Sequence, residues 1–222
     1  MRARGFTLVE LLVALFVMAL MAALSWRGID GMVRAKETTE TRADEVLTLQ
    51  VGLQQWTADL DAIEQLYGMK ALEWNGRVLR LTRRSTASIT DGVLVVGWTR
   101  RDVNGTSTWL RWQSAPVTTR GELEQAWQRA DQWSQSPGDD DRAREVAIAP
   151  LDDWQLFYFR ENAWTNPQSS DVTTNTINAT ATTGQLPDGV RVVLTLPPGH
   201  AVSGVITRDW VRPQLGGGKG QP

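Results

Sequence analysis

The chain has 222 residues, enough for one sizeable core without disulfides, and it contains no cysteine, which removes disulfides and thiolate metal sites from consideration. Its 23 basic and 25 acidic residues are spread along the sequence for a formal net charge of -2, so there is no basic stripe with which to bind nucleic acid. Eleven tryptophans stand against two tyrosines. Most fall in helix-like or strand-like segments, so core and interface packing is the expected use, with exposed stacking on sugars or bases as the alternative.

The chain opens MRARGFTLVELLVALFVMALMAALSW, in which Phe6 to Trp26 is apolar apart from the polar Thr7, Glu10 and Ser25. About 20 helical residues cross the ~30 Å hydrocarbon layer, so the run is long enough to span a bilayer. Arg2 and Arg4 followed by Ala23-Leu24-Ser25 also fit a cleaved secretory signal. Arg27, Arg34, Lys36 and Arg42 follow the span closely, so counting basic residues does not orient it. Glu10 argues against a plain signal, because an ionised carboxylate in lipid is costly unless a partner offsets it. A cut after Gly5 would create an ammonium on Phe6, four residues from Glu10. A neighbouring copy shifted by about one helical turn would bring its own ammonium to that carboxylate.

The segment Arg4-Gly5-Phe6-Thr7-Leu8-Val9-Glu10 and the apolar run behind it resemble the class III leader of type IV prepilins and type II secretion pseudopilins. The resemblance implies cleavage between Gly5 and Phe6 by a membrane-embedded prepilin peptidase and N-methylation of Phe6 by the same enzyme. It also implies that Glu10 pairs with a neighbouring subunit's N-terminus during assembly. Major pilins, minor pilins and pseudopilins share this leader.

Beyond Trp26 the composition stays helical, although Gly28 and Gly31 each cost a helix about 1 kcal/mol relative to Ala and suggest a flexible neck. RAKETTETRADE, Arg34 to Glu45, has almost nothing to bury. Val46, Leu49, Leu53, Trp56, Leu60, Ile63 and Tyr67 then recur at alternating spacings of three and four, one apolar face of a helix that Gly68 would cap. Packing on the protein's own sheet is the commoner use of such a stripe, and a coiled coil is the other.

The period then changes from helical to alternating. Arg77 to Arg83 reads as a strand; Val93 to Asp102 and Thr106 to Gln113 flank Asn104-Gly105, a hairpin signal. Thr119-x-x-Glu122 is a capping box opening a short helix to about Trp133. Further strands are expected at Val146 to Ala149, Asp153 to Arg160, Val190 to Leu196 and Val202 to Trp210. Ser134 to Asp141 and the Thr/Asn/Ser-rich Thr165 to Gln185 read as loops, and LGGGKGQP as a disordered tail. The fold class is therefore α+β, a long N-terminal helix packed on a β-rich head.

The order of long helix, Trp109-Leu110-Arg111-Trp112, LDDWQLFYFRENAW and LPDGVRVVLTL resembles the J-class minor pseudopilin of type II secretion systems. Thr165 to Gln185 and the glycine-rich tail depart from that class. The resulting organisation is a leader at 1-5, a transmembrane assembly helix at 6-26, a periplasmic neck and amphipathic helix at 27-67, a head at 68-212 and a tail at 213-222. By that resemblance the partners are the I- and K-class minor pseudopilins, other filament subunits, the prepilin peptidase and the inner membrane, with the head in the periplasm. A minor pilin of a type IV pilus or competence filament is one alternative, and a secreted β-rich binding protein is another.

Catalytic inventory is thin. His200 is the single histidine and sits in a Pro-Gly turn, and neither a G-x-S-x-G elbow nor a glycine-rich phosphate loop is present. Asp139, Asp140 and Asp141 invite a cation but lack the alternate spacing of a calcium loop, and Asp152-Asp153 is a weaker instance. The asparagine sequons at Asn104 and Asn178 matter only in a glycosylating pathway. The expectation is a structural subunit with no catalytic residue, cofactor or metal.

Overall fold

The computed structural model describes residues 7-85, 92-168 and 186-213. The chain divides into two compact units, residues 1-44 and 45-222. In the first, every described side chain is exposed. It belongs to α1 (Leu8–Asp61), which runs without a break through Gly28 and Gly31, so the flexible neck suggested by those glycines is a continuous helix. Its polar stretch satisfies itself locally. Arg34 pairs with Asp30 at 2.8 Å and Lys36 with Glu40 at 3.5 Å, each one turn away. Thr38, Thr39 and Thr41 donate their hydroxyls to the carbonyls of Arg34, Ala35 and Glu37.

The second unit begins with the last turns of α1 and continues through β1 (Leu72–Trp74), β2 (Val78–Arg84), β3 (Val93–Val103) and β4 (Thr106–Gln113). Two helices follow, α2 (Arg120–Gln135) and the single-turn α3 (Asp139–Arg142). The rest is β5 (Glu145–Pro150), β6 (Asp153–Arg160), β7 (Ala163–Thr165), β8 (Gly189–Leu196) and β9 (Gly204–Val211). The strands form two antiparallel sheets, β1-β2-β3-β4-β5 and β7-β6-β8-β9. Asn104 at φ 54° and Gly105 at φ 82° make the tight β3–β4 turn, whose handedness matches strand twist, and the Gly105 N–H donates to Asp102 Oδ1 at 2.9 Å.

The five-stranded sheet packs both of its faces against apolar side chains. Leu79, Leu81, Val96, Trp98 and Trp109 face a core shared with Leu49, Trp56 and Leu60 of α1 and with the inner residues of the second sheet. Val78, Val95, Leu110 and Trp112 face Leu123, Ala126, Ala130 and Trp133 of α2. Seven of the eleven tryptophans, Trp56, Trp98, Trp109, Trp112, Trp133, Trp154 and Trp210, are buried in packing, whereas Trp26 is exposed. Trp98 lies 4.7 Å from Trp109 between ring centroids, and Trp74 meets Trp154 edge-on at 4.8 Å. Gly52 marks the closest approach of α1 to β5, since a Cβ there would fall 2.1 Å from Ile148 Cγ2.

Several boundaries differ from the periodicity. The helix ends at Asp61, not at Gly68. Past that point the backbone pairs with β2: Ile63 bridges Arg83, Glu64 N–H donates to Thr82 O at 2.9 Å, and Arg84 N–H to Ala62 O at 2.9 Å. Ile63 keeps its place beside the core as a strand-like residue, and Tyr67 is fully exposed. Ser134 to Asp141 is not one turn, because α2 extends to Gln135 and the aspartates open α3. The short strands β1 and β7 carry too few residues to show a period, and β9 begins at Gly204, with Val202 packed on the core. Residues 169-185 and the tail from 214 lie outside the described residues.

Candidate functional site

Gly5 and Phe6 lie outside the described residues, whereas Glu10 is placed in the first turn of α1. Glu10 Oε2 accepts the backbone N–H of Thr7 at 2.9 Å and its hydroxyl at 2.8 Å. Glu10 N–H lies 3.4 Å from Thr7 Oγ1. Thr7-Leu8-Val9-Glu10 is thus a capping box, the same T-x-x-E signal that is legible at Thr119 to Glu122 but masked at the N-terminus by the surrounding apolar run. One oxygen of the carboxylate already has two donors from its own subunit, and Oε1 is the one left without a partner among the described residues.

Three acids further along α1 anchor the head. Asp59 is fully buried and accepts from Arg83 Nη1, Trp98 Nε1 at 2.9 Å, Arg111 Nε at 2.7 Å and Nη2 at 2.9 Å, and Gln55 Nε2 at 2.8 Å. One carboxylate of α1 thereby ties β2, β3 and β4 together. Asp61 accepts Trp210 Nε1 of β9 at 2.7 Å. Glu45 accepts the Ala201 N–H at 2.8 Å and faces His200 Nδ1 at 3.2 Å, so the single histidine clasps the β8–β9 loop to the helix. None of these roles is evident from local sequence pattern. A signal is nonetheless there: Arg83 follows Leu79 and Leu81 on one strand face and Arg111 follows Trp109, so both guanidinia point inward and need a buried counter-charge.

The aspartate run also has a structural use. Asp141 is buried, accepting Arg129 Nε at 2.6 Å and the Gly138 N–H at 3.2 Å, while Asp139 pairs with Arg142 at 3.0 Å. Among the described residues no three His, Cys, Asp or Glu side chains are grouped to hold a metal ion. At α2, Glu122 Oε2 accepts the N–H groups of Thr118 and Thr119, each at 3.0 Å, and these two bonds hold its carboxyl below the usual value.

Comparison with known families places the prokaryotic N-terminal methylation motif at residues 1-26. A comparison with curated proteins finds none that matches. The motif and the helix it heads, apolar and long enough to cross a membrane, support the type IV pilin-like class, pilins and pseudopilins together. The α+β architecture is consistent with that class.

Proposed function

We propose that the protein is a minor pseudopilin of the type II secretion system, of the J class. It would be a non-enzymatic subunit of the pseudopilus tip, which initiates assembly and helps drive folded proteins outward. The observation that carries this reading is the methylation motif at residues 1-26 leading without interruption into a helix whose last turns form part of the head's core. In this reading the peptidase cuts between Gly5 and Phe6 and methylates Phe6. The helix anchors the subunit in the inner membrane with its head in the periplasm, and Glu10 pairs with an adjacent subunit's N-terminus. Its Oε1, which has no partner among the described residues, suits that pairing, because Thr7 occupies the other oxygen. The partners are the I- and K-class minor pseudopilins, with no nucleic acid, cofactor or metal.

The motif is equally that of a minor pilin of a type IV pilus or competence filament, and neighbouring genes for secretion or for pilus components separate the two. A secreted binding protein cut after Ser25 fits less well, since that cut would fall inside α1. Mass spectrometry of the mature N-terminus tests the class: methylated Phe6 is expected, and a protein starting at Trp26 refutes it. Co-purification with I- and K-class partners tests the finer assignment, and failure to associate under native expression counts against it.

A further inference from the structure

α1 runs through residues 27-33 without a break, and this stretch carries two unlike sides. At about 100° of rotation per residue, Trp26, Ile29, Met32 and Val33 fall within an arc of roughly 120°, while Arg27, Asp30 and Arg34 gather within roughly 60° on another side. All of these side chains are exposed, so the apolar ones are not covered by any other part of the described chain. On the polar side Asp30 pairs with Arg34 at 2.8 Å. Leu15, Met18 and Ala22 lie on the same side as Trp26 and Val33, so the apolar face prolongs that of the membrane-capable segment. Lys36 and Glu37 close it one turn after Val33.

The lengths fit the layers of a bilayer. Leu8 to Trp26 is ~28 Å of helix against a ~30 Å hydrocarbon layer, and Leu8 to Val33 is ~39 Å against ~40–45 Å with the headgroups included. Residues 27-33 therefore fall at headgroup depth. The polar side begins at Arg27, whereas the apolar side ends ~9 Å further on at Val33. A boundary that steps across the helix in this way is level with a flat bilayer only when the helix tilts toward its apolar side. A tryptophan at the hydrocarbon limit, aliphatic residues on one side and arginines on the other are the composition of a helix lying in the lipid interface.

We propose that residues 26-33 of α1 dock on the headgroup–acyl boundary of the bilayer, with Trp26, Ile29, Met32 and Val33 against the lipid and Arg27 and Arg34 turned to the headgroups and water. The anchor is then a tilted helix with one rotational setting, in place of an upright one free to turn about its axis. This inference rests on the membrane-anchor reading of α1 and not on the secretion assignment.

The absence of cysteine lets a spin label be placed at one position at a time in the full-length protein. Ile29→Cys and Val33→Cys report the apolar side, Asp30→Cys and Arg34→Cys the polar side, and Val17→Cys the middle of the span. Each labelled protein is reconstituted at high dilution in vesicles of phosphatidylcholine and phosphatidylglycerol, so that copies do not meet. Collision rates are then measured with oxygen, which partitions into lipid, and with a water-soluble nickel chelate. The oxygen-to-nickel ratio is expected to be severalfold higher at 29 and 33 than at 30 and 34. Equal ratios at the four positions would overturn the docking, and so would labels at 29 and 33 shielded from both reagents, the sign of a covering polypeptide. Val17→Cys separates the two levels of the argument: a nickel-accessible label there removes the anchor and the docking together, whereas a lipid-embedded one without contrast at 29-34 removes the docking alone.

Discussion

Replacing Asp59 by Asn keeps the shape of the side chain and removes the single negative charge that faces Arg83 and Arg111. Five donor atoms converge on its two oxygens. Charge-assisted bonds measured singly contribute about 1.5–3 kcal/mol each, but five of them on one carboxylate share its charge and do not add. Breaking a buried ion pair from one side costs about 3–5 kcal/mol, because the partner charge stays buried and unpaired, and that sets the expected loss. The Asn amide would also bring N–H donors to face guanidinium and indole N–H groups. Against a typical total of about 5–15 kcal/mol, this is a large fraction of stability. Urea titration followed by tryptophan fluorescence reads the change on full-length protein in detergent. A companion variant, Asp59→Leu with Arg83→Met and Arg111→Met, is expected to recover most of the loss by removing the charges together. A loss below about 1 kcal/mol for Asp59→Asn, or no recovery in the triple variant, would refute the view that charge compensation holds α1 on the sheet.

Gly52→Ala places a methyl group where Ile148 Cγ2 already sits, and overpacking of that kind is expected to cost about 1–3 kcal/mol by the same titration. Thr119→Ala removes the α2 cap and is expected to cost about 1 kcal/mol. Glu122, whose carboxyl is held below its ordinary 4.5 by the Thr118 and Thr119 N–H groups, makes that cap pH-dependent. Its contribution is complete above the ordinary value and is lost as the pH falls through the lowered folded one. Amide exchange in the first turn of α2 is expected to accelerate on acidification in the wild type and to lose that dependence in Glu122→Gln. Gly5→Leu is expected to leave unprocessed precursor on an immunoblot, whereas Glu10→Ala is expected to be cleaved normally and to recruit partners poorly.

The elements with a full period are legible in the sequence: the β3–β4 hairpin from Asn104-Gly105, α2 from Thr119 and Glu122, and the stripe through Leu49, Trp56 and Leu60. The helix end is not. Ile63 continues the helical spacing by coincidence, because a residue that bridges Arg83 as a strand reaches the same core. Period arguments identify which side chains are buried more securely than the backbone conformation that buries them. Asp59 is hidden for a related reason: a charge beside an apolar stripe looks like the edge of a solvated face until the inward arginines of two separate strands are counted. At the N-terminus the methylation motif is readable, but Thr7 as the partner of Glu10 is obscured, because a charge in an apolar run points first to other subunits.

The continuity of α1 across Arg34 to Glu45 has a kinetic side. Starting a helix is the unfavourable step, since several residues must be fixed for the first hydrogen bond, whereas lengthening an existing one adds a bond for each residue fixed. RAKETTETRADE, with its three threonines in mid-helix, is a poor place to start. Downstream, Leu49, Trp56, Asp59 and Leu60 hold a helix in place as soon as the head condenses, and upstream the apolar run supplies a second strong helical segment. The polar stretch can therefore be wound from both ends, its cooperativity borrowed from its neighbours. Substitutions within it should alter fraying locally, and the loss of helix there should track the unfolding of the head.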